Sequence, residues 1–221
     1  MQARRPRSSG TTPAQRSRVR GGGTTAVRRR LKPTERREQL LRAALRVFAR
    51  RGLARGTHAE IAAECGVVVG TVFLYFPTRE ALVAQVLDEV ERVSLAIAER
   101  CYGRPDETVR DAIRRHVRET LDLVDQEPSF ALVWLDWSTA VRDEIWPRYL
   151  AFQERVVAHI AGAIARGQED GSVGTHQPAD TCARLIVGSS QMLAQMIFTW
   201  QPREHIEAFS DAVVDAALAL A

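Results

Sequence analysis

The chain predicts an all-α protein, and three observations carry that reading. Ala, Leu, Arg and Glu, all good helix formers, dominate the 221 residues. Alternating β-branched runs, the mark of half-buried strands, are nearly absent. Apolar residues recur instead at helical spacing, as in Leu40, Leu41, Ala44, Leu45 and Phe48. A hydrophobic content of 45% is ample for a core, and the length suits one large or two small domains.

Charge divides the chain. Residues 1–32 hold ten basic residues and no acid, and subtracting ten from the net +4 leaves −6 for residues 33–221. A basic arm on a mildly acidic body concentrates any nucleic-acid contact at one end. The arm is rich in Arg, Ser, Thr, Gly and Pro and is expected to be disordered. Gly21-Gly22-Gly23 is a joint and not a phosphate loop, because no Gly-Lys-Ser/Thr follows. A solvated tail and a mitochondrial transit peptide are the plain readings of such an arm, but it lacks the amphipathic period of a transit peptide.

The first helix is expected to open at Pro33-Thr34-Glu35, with Thr34 as N-cap, and to stop at Gly52. Thr57 and Glu60 form a capping box for a second helix, His58 to Cys65. Gly66 supplies the corner, where a positive φ is needed. A third helix runs from Val69 to Phe76, with Phe73 and Phe76 assigned to the core and Tyr75 left open between core and phosphate contact. Two short helices about a Gly turn have the layout of a helix-turn-helix, whose second helix enters the DNA major groove. Thr78 caps a long fourth helix carrying Leu82, Val83, Val86, Leu87, Val90, Val93 and Ile97. After a break at Cys101 to Pro105, a fifth helix is predicted from Asp106 to Val124. Phe130, Trp134 and Trp137 make an aromatic stripe on the next. Further helices are expected from Trp146 to Gly167, as one piece from Pro178 to Trp200, and from Pro202 to the end. The last two are apolar on more than one side, which fits either closure of the subunit's own core or a four-helix interface between two subunits.

The run GVVVGTVFLYFPTREALVAQVL resembles the TetR family of dimeric transcription regulators through Gly66, Gly70, Thr71, Phe73, Tyr75, Phe76, Arg79, Glu80 and Leu82. The segments at 47–62, 71–83, 133–147 and 163–171 sharpen the resemblance to the LuxR/HapR/SmcR branch, the quorum-sensing master regulators. The likeness covers roughly residues 28–221. It implies an arm at 1–32, a DNA-binding head at 33–78, and a ligand-binding and dimerisation body at 79–221.

The expected DNA contacts are Arg28, Arg29, Arg30, Thr57, Val69, Gly70, Thr71, Leu74, Tyr75 and Arg79. The three arginines stand where an arm reaches a narrow A·T minor groove. Two residues depart from the relatives' pattern. Val68 replaces a capping Ser, and Leu74 replaces an Asn inside the recognition helix. Leu74 offers a thymine methyl an apolar contact and no hydrogen bond. Core packing is the default for an aromatic stripe. The resemblance instead implies a pocket for a small apolar ligand, lined by Ser94, Ile97, Trp134, Trp137, Tyr149 and Gln153. Ser94 and Ile97 replace bulky aromatics there, which implies a wider pocket with Gln153 as polar anchor.

The chemistry of an enzyme is missing. There is no HExxH, nucleophile elbow or Rossmann fingerprint, and near the aromatics only Asp136 and His159 offer a base. His176 and Asp180 are four apart, but Pro178 lies between them, and no metal or cofactor is expected. Cys65, Cys101 and Cys182 fit neither a disulfide framework nor CxxC spacing, as in a reducing cytoplasm. No run approaches the ~20 apolar residues of a membrane span. The expected function is therefore a homodimeric, sequence-specific, nucleoid-associated transcription regulator that binds double-stranded DNA. The alternative is an architectural DNA-coating protein driven by the arm.

Overall fold

Caps and turns set the helix boundaries in the head. The computed structural model describes residues 31–104 and 107–219, which hold ten α-helices and no strand. Helix α1 (Pro33–Arg51) starts two residues earlier than Thr34 capping would allow. Pro33 occupies N1, Lys32 is the N-cap, and the Glu35 carboxylate accepts the Lys32 N–H at 2.7 Å. In α2 (His58–Cys65), Thr57 Oγ1 accepts the Glu60 N–H at 3.3 Å, and Glu60 returns the bond to the Thr57 N–H at 3.2 Å. Gly66 then turns the chain at φ 61°, which lets α3 (Val69–Tyr75) leave at a bend of 110°. Phe76 is the C-cap of α3, so that helix is one residue shorter than its periodicity predicts.

Helix α4 (Arg79–Tyr102) opens on Thr78, whose hydroxyl accepts the Ala81 N–H at 3.1 Å. Helix α5 (Val109–Gln126) begins later than the predicted Asp106, because the Thr108 hydroxyl caps it by accepting the Asp111 N–H at 3.2 Å. Then come α6 (Ser129–Ser138) and α7 (Trp146–Glu169). The single helix expected from Pro178 to Trp200 is two, α8 (Ala179–Gly188) and α9 (Ser190–Phe198). At the junction the Ser189 hydroxyl donates to the Ile186 carbonyl at 2.7 Å, a local bond that competes with the helix ladder. Helix α10 (Arg203–Leu218) closes the described chain.

The ten helices belong to one compact unit, Lys32 to Ala221. It has two apolar clusters. The first joins Leu40, Phe48, Ile61, Val72 and Phe76 of the head to Leu82, Leu87, Val133, Trp137 and Phe152 of the body. The second joins the last turns of α4 to α5, α7, α8 and α10 through Ile97, Ile113, Ile160, Ile164, Ile186 and Val214. The expected boundary between residues 78 and 79 coincides with the start of α4, whose Leu82 and Leu87 pack in the first cluster with the head. Cys65, Cys101 and Cys182 are free thiols buried in these clusters. Arg148 on α7 ties α4 down by bonding Glu91 and Asp88 and the Ala84 carbonyl. Among the described residues no single helix is long and apolar enough to cross a membrane.

Candidate nucleic-acid interface and body cavity

Helix α3 has a buried side and an open side. Val72 and Phe76 pack inward, four residues apart, against the head core. The opposite side presents Val69 and Phe73 in one row and Gly70 and Leu74 in the next, with Val68 at the cap. Leu74 is 78% exposed, Val68 74% and Phe73 47%. Phe73 therefore is not the core residue its aromatic character suggests. It lies flat on His58, with ring centroids 4.2 Å apart, while His58 Nε2 pairs with the Phe76 carbonyl at 2.9 Å. A Cβ added at Gly70 would meet nothing within 4 Å.

The expected contact residues divide by environment. Thr57, Val69, Gly70 and Leu74 are exposed at this end of the head, and Thr71 is half-buried beside them. Tyr75 is half-buried and packs on the head core. The Arg79 guanidinium is turned inward and donates to the Leu53 carbonyl, so its place in the fold is as a brace between α4 and the α1–α2 loop. Arg28, Arg29 and Arg30 lie outside the described residues.

Electrostatics single out one further residue. Arg46 and Arg50 pair with Glu64, and Arg51 pairs with Glu60. The Thr57 hydroxyl and Arg51 hold the Glu60 carboxyl below its ordinary range. Partial burial pushes Glu64 up, but Arg50 and Arg46 outweigh it and bring the group below its usual value. These arginines spend their charge on acids of the same face. Arg55 is exposed beside Thr57 and has no ion-pair partner among the described residues. Its charge is therefore not spent on an acid of the same face, and its position one residue before Gly56-Thr57 was a signal that the set of expected contacts left out.

The body holds a second feature, a cavity of about 160 Å³ between α4, α5, α6, α7 and the α8–α9 segment. Ser94, Ile97, Trp134, Tyr149 and Gln153 line it. Trp137, named with them from sequence, does not. It is fully buried in the first cluster, its indole N–H donates to the Ile145 carbonyl at 3.0 Å, and its ring packs 5.5 Å from both Tyr149 and Phe152. The lining contains no Asp, Glu, Lys or Arg.

His116 is a polar lining residue that sequence reading missed. Its Nδ1 pairs with the buried Tyr102 hydroxyl at 3.1 Å. Burial pushes its imidazole down to about 4, so it is neutral at pH 7. The missed signal was its spacing, since His116 and Thr120 fall on the same face as Ile113, Val117 and Leu121.

One carboxylate joins the two features. Asp136, on the same helix as Trp134, accepts the Leu53 N–H at 2.6 Å from the α1–α2 loop of the head. The same Leu53 accepts from Arg79. Asp136 is thus occupied by backbone and is not poised as a base. Asp180 is likewise taken, by Arg184 at 2.9 Å. Among the described residues no group of three or more His, Cys, Asp and Glu is placed to hold a metal.

A helix-turn-helix head fused to an all-helical body with an internal cavity defines the class of helical, DNA-binding regulators. Comparison with known proteins makes the class specific. The family model for bacterial regulatory proteins of the tetR family matches residues 40–86. The chain is 35% identical over 191 residues to the HTH-type transcriptional regulator LuxR of Vibrio harveyi, across 86% of this chain and 91% of that protein. Its fold is similar to a putative transcriptional regulator of Saccharomonospora viridis in complex with choline, with TM-score 0.72 and 22% identity, over 84% of this chain and 98% of that one. It is also similar to FadR of Bacillus subtilis in complex with stearoyl-CoA, with TM-score 0.67 and 17% identity, over 82% and 97%. The chain belongs to the TetR family and is a homologue of LuxR. It is a sequence-specific, DNA-binding transcription regulator and not an enzyme.

Proposed function

We propose that this regulator acts as a homodimer whose hold on DNA is set by an uncharged small molecule in the body cavity. The observation that carries the ligand reading is the lining. It is mostly apolar and aromatic, has no charged side chain, and sets a neutral His116 together with Ser94, Thr120 and Gln153 as hydrogen-bonding groups. A charged molecule placed there would be desolvated without a counter-charge. The volume suits a body of about ten heavy atoms. The relatives' complexes with choline and stearoyl-CoA support a small-molecule role for this fold.

The dimer reading rests on α8, α9 and α10. Leu185, Met192 and Trp200 are exposed there, and Trp200 takes a φ of 58° to stand almost wholly in solvent. Gly188, between Leu185 and Met192, has open space where a Cβ would go, as a close helix–helix approach requires. Two such faces make an isologous contact. DNA reading is assigned to Thr57, Val69, Gly70, Thr71, Leu74 and Arg55, with Tyr75 toward phosphate and Arg28–Arg30 in the minor groove. The resemblance to quorum-sensing master regulators points to density-dependent genes in the cytoplasmic nucleoid.

A matched series tests the ligand reading. 2-Naphthylmethanol, 2-naphthoate and 2-naphthylmethylammonium share one ring system and differ in charge. The neutral member is expected to raise the melting temperature and weaken retardation of a bound promoter fragment, while the two ions do neither. Equal effects from all three, or none from any, would refute it. Gly188→Trp is expected to shift the protein from dimer to monomer in sedimentation; an unchanged mass would place the interface elsewhere.

A further inference from the structure

The open face of α3 is unusual for a DNA reader in what it lacks. Specific base contacts in the major groove are made mainly by Arg, Lys, Asn, Gln, Asp and Glu through hydrogen bonds to base edges. From Val67 to Phe76 there is none of these. The polar side chains of α3 are the two hydroxyls of Thr71 and Tyr75, both half-buried. What α3 offers instead is an aliphatic and aromatic surface of Val68, Val69, Phe73 and Leu74. One base-edge group is matched to such a surface, the C5-methyl of thymine.

Gly70 is a second and independent sign. A glycine inside a helix destabilises it relative to Ala. Here nothing within 4 Å of the absent Cβ accounts for it, and its φ is not in the left-handed region. The reason for a bare position in the middle of the open face lies outside the chain. A bare backbone lets Val69 and Leu74 on either side sink to the groove floor, where the methyl groups are.

We propose that this regulator selects its half-sites through thymine C5-methyl groups, read by Val69 and Leu74 beside the bare Gly70, with Val68 and Phe73 packing at the edges of the contact. The proposal rests on the reading of α3 as the helix in the major groove. Its half-sites are rich in thymine at the positions that face α3, and guanine is not specified there by a bidentate side chain.

Deoxyuridine tests this directly, because it keeps Watson–Crick pairing and the minor-groove pattern and removes only the methyl. The full-length protein selects its operator from a random duplex pool, and each thymine of the half-site is then replaced in turn. Loss of about fourfold in affinity is expected for each methyl buried against α3, and none for replacements in the flanks. Leu74→Ala is expected to lower affinity for the thymine duplex and to abolish the penalty at one position. Specific binding that tolerates deoxyuridine throughout the half-site overturns the proposal and leaves α3 as the reader. Specific binding untouched by Leu74→Ala and Val69→Ala overturns both.

Discussion

Gly70 separates what the fold needs from what the function needs. Its site is open, its backbone is helical, and Ala is the better helix former, so Gly70→Ala is expected to stabilise the folded chain by about 0.5–1 kcal/mol. The same methyl stands on the face assigned to DNA and is expected to weaken operator binding at least tenfold. Chemical denaturation and gel retardation of one preparation check both signs. A variant that is more stable and binds normally would deny Gly70 any part in the contact. His116 gives a residue-scale pH dependence. Its ordinary value is near 6.5, and burial brings it to about 4 in the folded chain, with His159 adding to the drop and Glu119 opposing it. The unfolded chain then binds the proton first, so stability is full above pH 6.5 and falls as pH drops toward 4. The loss is expected to be no more than about 2 kcal/mol at pH 5. Urea unfolding at pH 7.5 and pH 5 measures it, and His116→Gln is expected to flatten the difference.

At the scale of elements, α6 is the piece that touches both features. Phe130 and Trp134 line the cavity, Val133 and Trp137 pack in the cluster shared with the head, and Asp136 clasps the Leu53 N–H. Asp136→Ala is expected to cost about 1 kcal/mol of stability. Its sharper effect is on coupling, with cavity affinity kept and the ligand's influence on DNA binding reduced. Asp136→Asn keeps an acceptor for Leu53 and is expected to retain the coupling; if both variants behave like the parent, the clasp carries no signal. Nothing in the sequence near Asp136 marks Leu53 as its partner, because the bond closes over 83 residues. Local signals fared otherwise. Thr57, Gly66 and Thr78 end or start their helices where a cap or corner residue is required, and each is legible within four residues. Three misreadings depend on tertiary contacts or on a small competing bond. Phe73 is aromatic yet stacks on His58 at the surface. Trp137 shares a stripe with Trp134 but lies beyond the cavity wall. The Ser189 interruption follows from one hydroxyl turned back on its own helix.

For the whole molecule, the decisive property is that head and body share one core. A mobile head on a loose hinge would bind DNA whatever filled the body. Here Leu40, Phe48 and Phe76 pack in the same cluster as Trp137 and Phe152, so a shift in α6 or α7 is carried into the head's packing. If a ligand favours a conformer whose two heads no longer match the half-site spacing, the coupling is an equilibrium one and must be reciprocal. A neutral ligand that weakens operator binding by some factor is then itself bound more weakly, by the same factor, when operator is present. Coupling of about 1–3 kcal/mol, or 5- to 150-fold, is the range to expect. Titrating 2-naphthylmethanol into the free protein and into the operator complex, with operator affinity measured in both ligand states, closes the cycle. Equal factors tie the loss of operator binding to ligand held by the protein, since any equilibrium coupling between the two sites is reciprocal. Weakened DNA binding with unchanged ligand affinity breaks the cycle, and the loss of binding then has to come from something other than the cavity, such as ligand acting on the DNA or on a second site.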